Sequence, residues 1–264
     1  MLRQKPLCIE LFAGRFGWGR GAVAAGYRVV GFDLIHESYH GDVPAGCELV
    51  LQDVLTLHGS QFKNASLILA SPPCQKYSYM AMPWERSKLI AEQVHRSKTE
   101  LRSLNRLFQI CFHIQQQANR NSDHYIPLVV ENVIGAQPWV GKAVTHFGSY
   151  YLWGDVPTLL PSTEIDGDNR HSLKGATFGW FNDHKRKGVT IRKSDRISYS
   201  WSSSKERKET SARTAEIPFN LAAYIAWWHF PEGRKYGKRP NHIAGTRWRV
   251  PLVCIGHIPH LGAL

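Results

Sequence analysis

With 264 residues, 43% hydrophobic, a net charge of +12 and a pI near 9.6, the chain can bury a large core and points to a polyanionic partner, most simply nucleic acid. Five cysteines (Cys8, Cys47, Cys74, Cys111 and Cys254) and thirteen histidines are scattered, with no CxxC pair or His/Cys cluster at zinc spacing, so no metal is expected. The start, residues 1–6, lacks the apolar core of a signal peptide and no run approaches membrane length, which excludes a membrane role and leaves the reducing cytoplasm as the expectation.

Residues 7–12 read as a short buried strand. It runs into Ala13-Gly14-Arg15-Phe16-Gly17-Trp18-Gly19 and then into a helical stretch ending near Gly26. Residues 27–33 form a second predicted strand, closed by Asp33. Strand, glycine-rich turn, helix, strand and acid make up the nucleotide-binding βαβ pattern. The glycines allow a tight turn and close approach of backbone to ligand, and the acid can hold ribose hydroxyls. The spacing departs from the dinucleotide GxGxxG pattern, which argues against NAD. Residues 48–54 read as a third strand, with Asp53 at its end suited to an adenine amino group.

The apolar run 67–70 reads as a buried parallel strand that stops at Pro72-Pro73. Both prolines fix φ and push the preceding residues towards extended backbone, so the chain leaves the strand on a stiff track. Cys74 emerges there, at the carboxyl end of a strand, where open α/β sheets carry their chemistry. Residues 76–98 have little period and mix Tyr77, Tyr79, Met80, Met82 and Trp84 with Lys76, Arg86, Lys88, Arg96 and Lys98. A long loop beside a candidate nucleophile reads as a functional lid, and its aromatics and cations suit a nucleic-acid backbone. Residues 99–118 have helical spacing, with Leu101, Leu104, Leu107, Phe108, Cys111, Phe112 and Ile114 on one broad apolar face. Residues 126–133 are another buried strand, tipped by Glu131 and Asn132. An acid and an amide are costly to bury unpaired, which favours a role at the site.

From Gly135 to about Lys208 the pattern changes to aromatics, glycines and polar residues without βαβ alternation. A basic cluster lies there: His184, Lys185, Arg186, Lys187, Arg192, Lys193 and Arg196. The expectation is a small irregular module, mostly β or loop, with a nucleic-acid role. A helix follows from Glu216 to Ala226 with Pro218 in its first turn. The tail is basic, rich in Gly and Pro, and expected to be partly disordered. The domain reading is therefore 1–140 for catalysis and cofactor, 141–208 for target recognition, 209–230 for a returning helix and 231–264 for the tail.

Three strand-end signatures, in this order, resemble the DNA (cytosine-5)-methyltransferase family: Glu10-Leu11-Phe12-Ala13-Gly14 through Asp33, then Pro73-Cys74-Gln75, then Glu131-Asn132-Val133. The resemblance covers roughly the first half of the chain and the helix near Ile217. It implies a Rossmann-like α/β fold with a mostly parallel sheet, S-adenosylmethionine as cofactor, and a monomer acting on double-stranded DNA in a bacterial or phage-infected cell. On this resemblance Phe12, Ala13, Gly14, Gly17, Asp33, Leu34, Asp53, Val54 and Pro72 would surround the cofactor. Phe12 would stack on adenine, Asp33 would hold the ribose and Asp53 the adenine. Cys74 would attack C6 of a flipped cytosine, Glu131 would contact N3, and Gln75 and Asn132 would accompany them. Lys76, Ser78, Arg86, Lys185, Arg186, Arg192 and Arg196 would meet the nucleic acid.

The chain departs from the family at three points. Phe16 stands where a second small residue is usual, so an altered cofactor loop is expected. Leu34 only partly fills the place of a large side chain over the adenine. No Gln-x-Arg-x-Arg segment follows Glu131; residues 147–155 are the candidate for its strand, and Arg192 and Arg196 are the candidates for its arginine. The compact recognition region suggests a short target or one read partly by shape. Three alternatives stay open: the same chemistry on tRNA, a thymidylate-synthase-like nucleotide enzyme, and a catalytically silent nucleic-acid binder. The glycine turn with Asp33 argues against the second, and the pairing of Cys74 with Glu131 argues against the third. An amino-methyltransferase is disfavoured because Pro-Pro is followed by Cys74 instead of an aromatic.

Overall fold

A computed structural model describes residues 4–34, 42–75, 77, 92, 97–160 and 216–231. Its strands are β1 (Leu7–Leu11), β2 (Arg28–Asp33), β3 (Cys47–Leu51), β4 (Leu67–Ala70), β5 (Leu128–Asn132), β6 (Thr145–Phe147) and β7 (Tyr150–Gly154). The helices are α1 (Gly17–Ala24), α2 (Lys98–Arg120), the single turn α3 (Gln137–Val140) and α4 (Phe219–Trp228). The strands form one sheet in the order β3-β2-β1-β4-β5-β7-β6. The first five are parallel, and β7 and β6 run antiparallel at one edge. This is the Rossmann-like α/β fold expected from the sequence.

The apolar runs at 67–70 and 128–132 are buried along their whole length. That is what central parallel strands covered on both faces require. Alternate residues divide between two cores. Ile9, Leu11, Ile68, Ala70, Leu128 and Val130 face α2, whose Leu104, Phe108, Cys111 and Ile114 pack onto them. Cys8, Leu67, Leu69, Val129 and Leu152 face the other way, against Trp18 and Ala22 of α1 and Leu221, Ala222 and Ile225 of α4. Cys111 is thus a core residue, as its place on the apolar stripe predicts.

Helix α4 lies directly against α1. A Cβ on Gly21 would run into the backbone of Ala222 and Ala223, and one on Gly17 would stand 2.7 Å from the Ile217 nitrogen. The segment therefore returns from far along the sequence to cover the glycine-rich helix. Pro218 is its N-cap.

Three boundaries differ from expectation. Helix α4 starts at Phe219, since Pro218 keeps an extended ψ of 131° as its N-cap, where the sequence placed the start at Glu216 with Pro218 in the first turn. The third strand ends at Leu51, and Asp53 instead caps a 3-10 turn at Val54–Thr56 by accepting a hydrogen bond from the Leu55 N–H at 2.9 Å. Residues 145–154, expected to open a separate region starting at 141, hold two strands of the same sheet. Glu131 stands opposite Leu152 and Asn132 opposite Tyr151. The physical reason is burial: Phe147, Tyr150, Leu152 and Trp153 complete the two cores at the β5 edge.

From β1 the chain winds outward to β2 and β3, then returns past β1 to β4 and β5. The direction of winding reverses between β1 and β4. Their carboxyl ends therefore open the crevice where ligands bind in sheets of this kind.

Candidate active site

β1 delivers the chain into a tight loop. Phe12 (φ 59°), Gly14 (φ 49°) and Phe16 (φ 57°) all adopt the left-handed conformation. That costs a non-glycine residue about 1–2 kcal/mol, and such strain concentrates at functional loops. Four hydrogen bonds hold the shape. Ala13 N–H donates to the Phe32 carbonyl at 3.0 Å and Phe16 N–H to the Ala13 carbonyl at 2.7 Å. Asp33 takes the Gly14 N–H on Oδ2 at 2.9 Å and the Leu34 N–H on Oδ1 at 2.7 Å. Asp33 thus grips the glycine loop as well as closing β2.

The unusual Phe16 does not project over the loop. It is 1% exposed, and its ring fills a hole left by two glycines. A Cβ on Gly19 would stand 2.8 Å from the ring, and one on Gly31 would collide with both the ring and the Ala13 side chain. The bulk that the sequence places in the glycine loop is absorbed between sheet and helix. Among the described residues there is room above Gly14: an added Cβ would meet nothing nearer than the Phe12 carbonyl oxygen at 3.9 Å. Phe12 is half-buried, Ala13 and Gly17 are buried, and Leu34 is 65% exposed beyond Asp33. Asp53 is half-buried at its cap, while Val54 sits in the α2-side core at 2% exposure.

Cys74 follows β4 on the proline track and is half-buried; Pro72 is buried and Gln75 exposed. Asn132 Nδ2 donates to the Pro72 carbonyl at 2.9 Å, so the end of β5 holds the track in place. Asn132 Oδ1 accepts from the Val133 N–H at 2.9 Å. Glu131 is buried at the carboxyl end of the same strand, 5% exposed. Its charge reaches Tyr150 of β7, whose phenol is pushed upward by burial first, then by Glu131 and Glu216. Beyond Cys74, the Tyr77 N–H donates to the Cys74 carbonyl at 2.9 Å. The Tyr77 ring is core: 3% exposed, its hydroxyl donates towards the Leu104 carbonyl and Asn105 Oδ1, each at 3.1 Å. This corrects its expected place among nucleic-acid-facing aromatics, because a buried phenol must find acceptors and finds them in α2.

Several contributors lie outside what sequence reasoning named. Glu10, which opens the first motif but was given no role of its own, is 2% exposed and its carboxyl is pushed up to about 8, chiefly by burial. The Trp18 and Gly19 amides at the start of α1 pull it part of the way back, the first at 3.2 Å. An acid inside an apolar strand was the available signal. Glu216, just ahead of α4, pairs with Arg20 of α1 at 2.7 Å and with Arg15 of the glycine loop at 3.5 Å. Buried Asn105 donates to the Trp139 carbonyl at 2.7 Å, and Trp18 donates its indole N–H to Ser71 Oγ at 2.9 Å. No local pattern marks these last contacts, which join residues far apart in sequence.

The fold thus brings Phe12, Ala13, Gly14, Gly17, Asp33, Pro72, Cys74, Glu131 and Asn132 to the carboxyl ends of β1, β2, β4 and β5. Asp53 and Val54 follow the neighbouring β3. Lys76, Ser78, Arg86, Lys185, Arg186, Arg192 and Arg196 lie outside the described residues, as do most of the expected lid and the tail beyond 231. Among the described residues no group of His, Cys, Asp and Glu could hold a metal ion, and no helix is long and apolar enough to cross a membrane.

No protein-family profile matches the chain, and no curated protein does. Among solved structures, it is similar to a DNA modification methyltransferase encoded within an E. coli prophage, with 21% identity and a TM-score of 0.31 over 50% of this chain and 33% of that one. It is also similar to the S. pombe Dnmt2 methyltransferase, with 16% identity and a TM-score of 0.34 over 52% of this chain and 37% of that one. A Spodoptera frugiperda DNMT2 mutant gives 20% identity and a TM-score of 0.33 over 51% and 38% of the two chains. The similar part spans 33% to 38% of each of these structures.

Proposed function

We propose that this chain is an S-adenosylmethionine-dependent methyltransferase that modifies C5 of cytosine in double-stranded DNA. One observation carries the reading. A cysteine on a rigid proline track, a buried glutamate and a glycine loop gripped by an aspartate follow the carboxyl ends of neighbouring parallel strands, at the point where the winding of the sheet reverses. The first motif suits the cofactor. Among the described residues a Cβ on Gly14 would meet nothing nearer than 3.9 Å, and half-buried carboxylates lie at Asp33, the end of β2, and at Asp53, two residues beyond β3.

S-adenosylmethionine supplies an electrophilic methyl group. Cytosine C5 is a poor nucleophile until the ring becomes enamine-like, and the chain's residues bring that about. The Cys74 thiolate forms a bond to C6 of a cytosine turned out of the helix. Glu131 holds a proton at N3, which draws the electron pair of the C5–C6 double bond into the ring and makes C5 nucleophilic toward the methyl group that a bound cofactor would supply, its sulfonium sulfur keeping the electron pair of the broken S–CH3 bond as a neutral thioether. Loss of the C5 proton re-forms the double bond and expels the Cys74 sulfur. Asn132 keeps Pro72, and through it Cys74, in reach of the base.

The test is trapping on duplex DNA carrying 5-fluorocytosine, with S-adenosylmethionine, for wild type and Cys74→Ala. Fluorine cannot leave as a cation, so the expected result is an adduct that survives denaturation in the wild type and is absent in the variant. An adduct with tRNA but not DNA would move the same chemistry to RNA. Absence of any adduct on either polymer would overturn the reading.

A further inference from the structure

Trp18 is the second residue of α1, directly after the glycine loop, and is 1% exposed. Its backbone N–H is taken by Glu10 of β1 at 3.2 Å, which fixes the start of the helix. A buried indole N–H needs an acceptor, and here it reaches across to Ser71 Oγ at 2.9 Å. Ser71 is the first residue beyond β4, and its own N–H donates to the carbonyl of Leu11, the last residue of β1, at 3.3 Å. Ser71 therefore touches both the strand that feeds the glycine loop and the helix that leaves it.

Ser71 is also the base of the track Pro72-Pro73-Cys74. With two consecutive φ angles fixed, a displacement of Ser71 is carried to Cys74 with little slack. Among the described residues, Asn132 of β5 also anchors that track through the Pro72 carbonyl, and the Tyr77 N–H closes a turn on the Cys74 carbonyl. Trp18 comes from the cofactor side.

We infer that Trp18 is a positioning residue whose hydrogen bond to Ser71 couples occupancy of the glycine loop to the placement of Cys74. The inference rests on the reading of that loop as the S-adenosylmethionine site. A shift of α1 on binding moves the indole, the indole moves Ser71, and the proline track moves the thiol. By linkage the coupling is reciprocal, so engagement of Cys74 tightens cofactor binding by the same factor.

The test uses the full chain and needs no turnover. Alkylation of Cys74 by iodoacetamide is followed by peptide mass spectrometry, with and without saturating S-adenosylhomocysteine, whose affinity is measured separately by calorimetry. In the wild type the ligand should change the Cys74 alkylation rate by about fivefold or more, the lower end of ordinary coupling. Trp18→Phe keeps the ring and removes the donor, and Ser71→Ala removes the acceptor. Each should bind the ligand within about threefold of wild type yet lose most of that change. The double variant should lose no more than either single one, and Ser71→Thr, which keeps a hydroxyl, should restore the change. If both single variants retain the wild-type change, or the wild type binds the ligand without any change at Cys74, the coupling is overturned and the cofactor reading stands. Variants that no longer bind the ligand at all would make the hydrogen bond merely structural and overturn it as well. A wild type that binds no S-adenosylhomocysteine overturns the cofactor reading itself, and the coupling with it; the calorimetry alone reports that case.

Discussion

Glu10 and Phe16 show how single residues in the first motif depart from what their types suggest. A carboxyl closed inside a sheet normally stays neutral, since an unpaired charge there is strongly disfavoured. Glu10 has two helical amides to ease ionisation, but burial outweighs them and its proton is lost only near pH 8. The consequence for stability has a definite sign. Unfolded, the carboxyl titrates near 4.5; folded, near 8. Between those values the unfolded chain has released a proton that the folded chain keeps, so stability falls as pH rises through the window and levels off above it. Glu10→Gln keeps an acceptor for the Trp18 N–H and removes the titration. Relative to that variant, wild type should lose on the order of 2–4 kcal/mol between pH 5 and pH 8. Urea unfolding of both proteins across this range measures the difference. Parallel pH profiles would mean that Glu10 ionises in the folded chain much as it does in water. Phe16 makes the complementary point. Its size was legible in the sequence, but its direction was not, because the hole it fills is made by Gly31, fifteen residues on, and by Gly19 in the next helix. A left-handed φ at Phe16 turns the ring down into that hole, which leaves the loop surface at Gly14 open.

At the scale of elements, the cover over α1 comes from α4, and its attachment uses two different kinds of contact. One is close packing through Gly21, where the helix backbones approach so nearly that no side chain fits. The other is the Glu216 carboxylate between Arg20 and Arg15, with side chains 23%, 43% and 25% exposed in that order. Water screens such a partly exposed pair, so it is worth little more than about 1 kcal/mol. The packing contact is the stronger. Gly21→Val must overpack the seam and should destabilise the chain by about 2–4 kcal/mol even after the better helix propensity of valine is allowed for. Glu216→Gln should cost less than about 1 kcal/mol. Urea denaturation midpoints of the two variants decide the matter, and equal costs would mean that ion pairs hold the helix. Elements with a strong period were the legible ones. The 3.6-residue stripe at 99–118 marks α2, observed as Lys98–Arg120, and the apolar runs before Cys74 and through Glu131 mark the central strands. β6 and β7 were harder to see. Their residues bury aromatic rings on both faces with no clean alternation; the strand placed at 147–155 by family resemblance overlaps β7, whereas β6 is seen only through its pairing with β7.

For the molecule as a whole, sequence reasoning placed its candidate residues Asp33, Cys74, Glu131 and Asn132 at or just beyond strand ends, and the fold has them there. It could not recover contacts such as Trp18 with Ser71, or Tyr77 with Asn105, since a separation of tens of residues has no period to read. Charge is the opposite case: it is fully legible in the sequence and acts at long range without fixed partners. A net charge of +12 on 264 residues should draw the protein to any nucleic-acid backbone, and the strength of that attraction is countable. Six of the proposed contacts are cations: Lys76, Arg86, Lys185, Arg186, Arg192 and Arg196. If each neutralises one phosphate of duplex DNA, counterion release sets the slope of log affinity against log salt near −5, so binding to mixed-sequence duplex should weaken by about a thousandfold between 50 and 200 mM salt. Fluorescence anisotropy of a labelled duplex at several salt concentrations gives the slope directly. Removing Lys185, Arg186, Arg192 and Arg196 together, each to Gln, should flatten it by about 3 to 4 units while leaving S-adenosylhomocysteine affinity unchanged, because those residues are assigned to the polymer and not to the glycine loop. A wild-type slope near zero would detach the basic cluster from nucleic-acid binding. An unchanged slope in the fourfold variant would move the phosphate contacts to Lys76, Arg86 and the rest of the chain, and with them the surface on which the duplex rests.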